Sequence, residues 1–316
     1  MEKEPDMKGS KEEKLKAKQE KKKAGERFRQ ALDKELREHK SSFIVFYILR
    51  ALVLVALVRQ LMRGSYESAF FCVLTLLLLY VPSWLQVKLH IELPPPLEIT
   101  ILCFIFAAEI LGEVNAFYVV IPGWDTMLHT INGFLAAAVG FSLVILLNED
   151  ERLTFDLSPF FLALTAFCFS MTIGVLWEFF EFSMDFFFHF DMQKDTVIHN
   201  LYTVALDATR SNKVISVKGI TDTVVNGRSL GLGGYLDIGI IDTMKDLFVN
   251  FIGAVVFSTA GFFYARNKGK KKSMALGFVP SKKTAETDYL KQAETEKSTP
   301  CEVTPKVRQY FKVKIV

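Results

Sequence analysis

The fold of this protein follows from residues 124–147, which read WDTMLHTINGFLAAAVGFSLVILL. Two ionisable residues, Asp125 and His129, stand near the start of this stretch, and the rest of it is mainly apolar. A run of about 18 or more apolar residues is long enough to cross a bilayer as an α-helix. The stretch therefore predicts a membrane-spanning helix that carries a carboxylate and an imidazole near one end.

Further apolar runs lie on both sides of this one, so the sequence predicts an all-α, polytopic bundle of about six spans. Of the 316 residues, 50% are hydrophobic and 29 are phenylalanine, whereas both ends of the chain are strongly charged. This contrast is typical of a membrane-embedded core with solvated tails. The predicted spans are 43–62, 69–85, 97–121, 124–147, 159–182 and 242–265.

The charged segments predict the domain organisation and the orientation. Residues 1–42 form a lysine-rich leader, residues 43–265 the bundle, and residues 266–316 a basic tail that we expect to be disordered. Short basic segments next to spans stay in the cytoplasm. An even number of spans puts both termini inside, so we expect a multi-pass plasma-membrane protein. The long loop 187–241 then lies outside.

The outer loop contains a signal for β-structure. Residues 213–217 and 223–225 are rich in β-branched side chains, and Asn226-Gly227 is a typical tight-turn pair. We therefore predict a small β-hairpin in this loop.

Composition gives no sign of a nucleic-acid partner or of a cysteine-based zinc site. The net charge of +3 arises mainly from the tails, which does not suggest a nucleic-acid partner. The four cysteines show no Cys-x-x-Cys or Cys/His spacing of the kind that binds zinc.

Acidic residues and one histidine cluster at the predicted outer ends of four spans. Spans 124–147 and 242–265 begin with such residues, and spans 97–121 and 159–182 end with them. Because consecutive helices run in opposite directions, all of these residues should lie at one level of the membrane. They are Glu109, Glu113, Asp125, His129, Glu178, Glu181, Asp242 and Asp246.

The spacing within each span predicts a shared face. Asp125 and His129 are four residues apart, and Asp242, Asp246 and Asn250 continue the same step. Rows of this kind can present several ligands to one centre inside a helical bundle. Carboxylates with one imidazole suit a hard or borderline divalent ion. We expect Asp125, His129, Glu178 and Asp246 to be the metal ligands, supported by Glu181, Asp242, Asn250, Glu109 and Glu113.

The charged motifs of spans 124–147, 159–182 and 242–265 resemble those of the YjdF-like family of bacterial membrane proteins and, more distantly, of the VanZ-like proteins. The resemblance covers about residues 98–263 and rests on Asp125-x-x-x-His129, Trp177-Glu178-x-x-Glu181 and the Asp-Thr-x-x-Asp-x-x-x-Asn row that begins at Asp242. It implies an inner-membrane protein without an established activity; VanZ-like relatives are associated with glycopeptide resistance. This chain departs from a compact VanZ-like protein by its leader, its early spans and its outer loop.

Several functional hypotheses remain open at this point. The leading one is a divalent-cation site that supports hydrolytic or transfer chemistry on a lipid or cell-envelope substrate, although no serine or cysteine motif indicates an enzyme nucleophile. The second is a proton- or cation-coupled transporter, and the third is a structural or partner-binding protein whose acids hold the bundle together. Asp125 and Asp242 also suit helix N-caps, and Trp177 suits a membrane-interface anchor.

Overall fold

The computed structural model describes residues 7–148, 157–267 and 277–295, and it is mostly helical over these ranges. The helices are α1 (Met7–Glu38), α2 (Lys40–Met62), α3 (Tyr66–Leu78), α4 (Val81–Leu89), α5 (Pro95–Phe106), a π-helix (Ala107–Val114), α6 (Phe117–Val120), α7 (Trp124–Asn148), α8 (Pro159–Phe188), α9 (Ile240–Arg266) and α10 (Tyr289–Thr295). The strands are β1 (Ile91–Glu92), β2 (Val197–Ile198), β3 (Asn200–Thr203), β4 (Ile215–Lys218), β5 (Val224–Val225), β6 (Arg228–Ser229), β7 (Tyr235–Leu236) and β8 (Ser281–Lys282).

The predicted fold class is confirmed. Among the described residues, five helices are long and apolar enough to cross a membrane: α2, α3 with α4 as one unit (Tyr66–Leu89), α7, α8 and α9. The remaining predicted span, 97–121, takes a different form. It consists of α5 and the π-helix, which run on from Pro95 to Val114, and neither part alone reaches the length of a span.

Helices α7, α8 and α9 form the central three-helix unit of the fold. Its core contains small side chains of α7 and α8 and two phenylalanine rings, all fully shielded from solvent. Small residues let the helix backbones approach closely, which is a common basis of helix packing in membranes. The fully buried residues are Ala137, Ala138, Phe141, Ala166, Ala254 and Phe257.

Two glycines bring α7 and α9 into backbone contact. A Cβ atom added to Gly133 would lie 2.1 Å from the main-chain oxygen of Asn250, and one added to Gly253 would lie 2.1 Å from that of Thr130. Either distance is far inside van der Waals contact. The two helices therefore approach as closely as they do only because both positions lack a side chain.

A second unit packs beside the first. Helices α2, α3 and α5 share an apolar core that includes Phe46, Val53 and Cys72. Leu97 of α5 and Leu135 of α7 belong to one further cluster, which joins the two units.

The N-terminal helix and residues 277–295 pack together, although the sequence suggested a disordered tail. Strand β8 pairs with β1, and Asp288 accepts a hydrogen bond from His90 at 3.0 Å. Lys283 forms a buried ion pair with Glu35 of α1. Residues 277–295 are thus held against α1 and β1 by these contacts. Residues 1–6, 268–276 and 296–316 of the leader and tail lie outside the described residues.

The loop between α8 and α9 contains the predicted β-structure, with one difference in pairing. Asn226 and Gly227 both have positive φ, 53° and 80°, and turn β5 back onto β6. This is the tight turn that the sequence predicted. Strand β4 does not join that hairpin; it pairs with β3, a strand that lacked a clear signal.

Candidate functional site

His129 lies at the centre of a polar cluster formed by α7, α8 and α9. Its Nε2 atom is 3.5 Å from Asp125 Oδ1, one turn earlier on α7, and 3.8 Å from Asp246 Oδ2 on α9. Its Nδ1 atom is 3.9 Å from Glu178 Oε1 on α8. The four residues predicted as ligands are thus brought together, with carboxylates facing both ring nitrogens.

Helices α8 and α9 are slightly longer than the sequence predicts. Helix α8 continues to Phe188, so Glu178 and Glu181 lie two to three turns before its end and not at its end. Asp246 lies almost two turns inside α9, which begins at Ile240. Because α8 and α9 run in opposite directions, these positions still share one level of the bundle.

Most of the cluster is buried, and its exposed part is Asp125. The side chains of Asp246 and Glu178 are only 3% and 6% exposed. Asp125 is 34% exposed, so it connects the buried carboxylates to the surroundings. A ligand would therefore enter past Asp125.

Glu181 completes a second acidic group with Glu178 and Asp246. One oxygen from each of these three carboxylates lies within 4.8 Å of the others. Asp125, His129 and Asp246 form another group that meets the same limit, so Asp246 belongs to both. Glu181 is held in place by Trp177, whose Nε1 donates a hydrogen bond to Glu181 Oε1 at 2.8 Å.

Glu178 carries an unsatisfied acceptor. Its Oε2 atom is buried and has no hydrogen-bond partner among the described residues. Buried polar atoms nearly always have a partner, and an exception often marks the place of an ion or a water molecule. The cluster also holds four carboxyl groups, and within the described residues His129 is the one basic side chain that pairs with them.

Asn250 lies one turn deeper than Asp246 and is fully buried. Its Oδ1 accepts a hydrogen bond from Asn132 Nδ2 at 3.3 Å, and its Nδ2 donates to the main-chain oxygen of Ser170 at 3.4 Å. A Cβ atom on Gly174 would lie 2.7 Å from Asn250 Nδ2, so a glycine makes room for the amide. Asn250 therefore ties α7, α8 and α9 together beneath the acidic cluster and does not reach into it.

The chain segment 192–196 crosses the end of α8 and α9 and is held there by carboxylates. Asp185 accepts from the amides of Met192 and Gln193 at 2.6 and 2.8 Å, and Asp242 accepts from the amide of Lys194 at 2.8 Å. Gln193 Nε2 also donates to Thr243 Oγ1 at 2.5 Å. Asp242 thus anchors the loop and supports the cluster only indirectly. It is not the N-cap of α9, because that position is Gly239.

Asp237, which lies just before α9, also holds the segment 192–196. Asp237 accepts hydrogen bonds from the amides of Thr196 and Ile241 at 2.7 and 2.8 Å. Burial opposes the ionisation of this group, but the main-chain N–H groups outweigh it and lower the pKa of Asp237. A stable negative charge here keeps the loop attached at neutral pH.

Glu109 and Glu113 lie apart from the cluster. Both are on the π-helix, where Glu113 is exposed and Glu109 is half-buried. Neither belongs to the two groups that could hold a metal ion. A π-helix widens the turn, so the four-residue spacing that predicts a shared face in an α-helix does not place these two side chains as expected.

The residues around the cluster include two that the sequence interpretation missed. Trp177 was assigned to the membrane interface, yet its indole N–H orients Glu181; the four-residue step between them was the available signal. Gln193 had no such signal, because it reaches Thr243 across 50 residues of sequence. Chemically, the assembled set is rich in oxygen with one imidazole, which matches hard or borderline divalent cations.

Comparison with known proteins identifies a family. The family model described as "Predicted membrane protein (DUF2238)" matches residues 44–267, which contain the whole polar cluster and every span except the first few residues of α2. No curated protein and no solved structure matches the chain. On the extent of the family match, the chain belongs to the DUF2238 family of predicted membrane proteins.

Proposed function

We propose that this membrane protein binds a divalent cation between α7, α8 and α9, at a site formed by Asp125, His129, Glu178 and Asp246. Asp125 and Asp246 lie on the Nε2 side of the imidazole, and Glu178 lies on its Nδ1 side. The observation that carries the proposal is Glu178 Oε2, a buried acceptor beside three other carboxyl groups, for which the described part of the chain supplies no hydrogen-bond partner. Leaving negative charges unbalanced at membrane depth is costly. A bound cation would neutralise them and supply the missing partner.

The same observation distinguishes this proposal from a structural network. A network that only holds helices together would satisfy its own acceptors, as the Asn250 amide does. The acidic cluster does not, and it is open to the surroundings at Asp125.

The position of the site supports a substrate from the membrane or the cell envelope. The cluster lies at the end of the bundle that carries the loop 189–239, with Asp125 at its open edge. A bound cation can polarise a phosphoryl or carbonyl oxygen and activate water for hydrolysis or transfer. A lipid headgroup or an envelope precursor that reached Asp125 would meet that chemistry.

We also propose that the protein lies in the plasma membrane of a bacterium with both termini in the cytoplasm. The basic leader and the basic tail support this orientation, and so does the contact of α1 with residues 277–295, which requires both segments to be on one side. The narrower resemblance to YjdF-like and VanZ-like proteins belongs to the same proposal. It supports a role in the cell envelope without naming a reaction.

Elemental analysis of the protein purified in detergent tests the proposal. The wild-type protein should retain a stoichiometric divalent metal after extensive dialysis, and His129→Ala and Asp246→Asn should lose it. Glu67→Gln serves as the control, because Glu67 is an exposed carboxylate at the start of α3. Absence of metal from a folded wild-type protein, even after incubation with Mn²⁺, Zn²⁺ or Mg²⁺, would rule the site out.

A further inference from the structure

Five side chains surround the proposed metal site, and they fall into two groups that share one residue. Asp125 and His129 of α7 form a group with Asp246, and Glu178 and Glu181 of α8 form another group with the same Asp246. In each group the ligand atoms lie within 4.8 Å of one another. The described residues thus form two sets of ligand atoms that share Asp246.

The imidazole of His129 separates the two groups. Its Nε2 faces Asp125 and Asp246, while its Nδ1 faces Glu178 Oε1. A metal ion on Nε2 leaves Nδ1 as an N–H group that donates to Glu178, the usual arrangement in which a carboxylate orients a metal-binding histidine. Glu178 Oε2, which is buried and has no hydrogen-bond partner among the described residues, is then available to a second ion.

The number of negative charges in the cluster also favours two divalent ions. Asp125, Glu178, Glu181 and Asp246 bring four carboxylates, and the histidine is neutral when it binds a metal. One divalent ion leaves a net negative charge in a site whose innermost side chain, Asp246, is only 3% exposed. Two divalent ions balance the four carboxylates, which removes the cost of burying unpaired charge.

Building on the proposed function, we infer that the site holds a pair of divalent ions bridged by Asp246. Asp125 and His129 bind the first ion, and Glu178 and Glu181 bind the second. Paired ions about 3.5–4 Å apart are the arrangement by which many phosphatases and nucleases stabilise both the attacking and the leaving oxygen. The inference therefore narrows the reaction class to hydrolysis or transfer at a phosphoryl or carbonyl centre.

Manganese binding measures the number of ions directly. Purified full-length protein, stripped with a chelator, is titrated with Mn²⁺ and followed by electron paramagnetic resonance and calorimetry. We expect about two ions per chain and a broadened, spin-coupled spectrum in the wild-type protein, as for other bridged pairs. Glu181→Gln should retain about one ion with an uncoupled six-line spectrum, and Asp246→Asn should weaken both positions.

The wild-type measurement alone decides the inference, so a variant that fails to fold does not obscure it. Two ions with a coupled spectrum support the bridged pair. One ion per chain with an uncoupled spectrum overturns the pair and leaves the proposed cation site standing. No bound ion in folded protein overturns both. Size-exclusion chromatography and circular dichroism establish that each sample is folded.

Discussion

His129 and Glu178 face each other across the contact between α7 and α8, with 3.9 Å between Nδ1 and Oε1. This distance is too long for a hydrogen bond but short enough to become one after a small movement. The opposite nitrogen of the ring points to Asp125 and Asp246. One histidine is therefore placed between carboxylates of three helices, and its two nitrogens can take different roles.

We predict that Glu178→Gln weakens metal binding by about 10- to 100-fold, the usual effect of removing a carboxylate that orients a metal-binding histidine. The amide keeps the size of the side chain but loses its charge, so the helices should still pack. Competition with a chromophoric chelator measures the affinity. Glu67→Gln should bind like the wild-type protein, and equal affinities of Glu178→Gln and Glu67→Gln would contradict the role of Glu178.

Trp177→Phe should weaken metal binding by about 10-fold through Glu181. The change removes the Nε1 donor to Glu181 Oε1 while it keeps an aromatic ring at a position that is 45% exposed. Trp84→Phe is the matched control, because Trp84 is 44% exposed and lies on α4, away from the cluster. The same competition assay separates the two; a loss of affinity in both variants would point to a general effect on stability.

Hydropathy and topology were enough to predict the spans and the level at which the charged residues meet. Helices that run in opposite directions must bring the start of α7 and α9 near the end of α8, and Asp125, Glu178 and Asp246 lie close together accordingly. This inference needs only the order and length of apolar runs. The inference still holds although α8 ends at Phe188 and not at residue 182, because a longer helix leaves Glu178 at the same level of the bundle.

Pairings between distant residues could not be predicted in this way. Lys283 and Glu35 each look like a solvated charge in a polar tail, and only the fold shows that they pair and hold residues 277–295 against α1. The π-helix likewise depends on packing and has no distinct sequence signature, so the four-residue spacing of Glu109 and Glu113 could not predict which way they face.

Gly133→Ala should lower the free energy of unfolding by about 1–3 kcal/mol, as overpacking of a tight interface usually does. The added Cβ would lie 2.1 Å from the main-chain oxygen of Asn250, and backbone atoms cannot move aside as a flexible side chain can. Gly25→Ala is the control, since a Cβ there meets nothing within 4 Å. Thermal unfolding in detergent measures both. Equal melting temperatures would mean that α7 and α9 separate without cost.

The attachment of residues 277–295 to α1 should weaken as the pH rises from about 5 to about 8. Burial of Glu35 raises its pKa to about 7, although the neighbouring Lys283 acts in the opposite direction and Glu98 and Glu38 add to the effect of burial. A carboxyl whose pKa is higher in the attached state favours attachment while it is protonated. The stabilisation is fully present below the ordinary pKa of 4.5 and is lost as the pH passes 7.

Hydrogen exchange of a peptide from residues 277–295 tests this dependence. The intrinsic exchange rate also changes with pH, so each measurement is compared with Glu35→Gln, in which the side chain is neutral at every pH. Protection in the wild-type protein should fall relative to the variant between pH 5 and 8. A constant ratio over that interval would exclude Glu35 as the titrating group.

Reconstituted protein should show no cation or proton flux across liposomes. Below the acidic cluster and Asn250, α7, α8 and α9 are sealed by Ala137, Phe141 and Phe257, none of which is exposed at all. A transported ion needs several polar groups to replace its water, and among the described residues this layer offers only the buried hydroxyls of Ser142 and Ser258 beside the apolar side chains. Flux is followed with a pH-sensitive dye and with ⁵⁴Mn. Transport by the wild-type protein that disappears in Asp246→Asn would instead establish the relay, and the apolar layer would then have to open during the cycle.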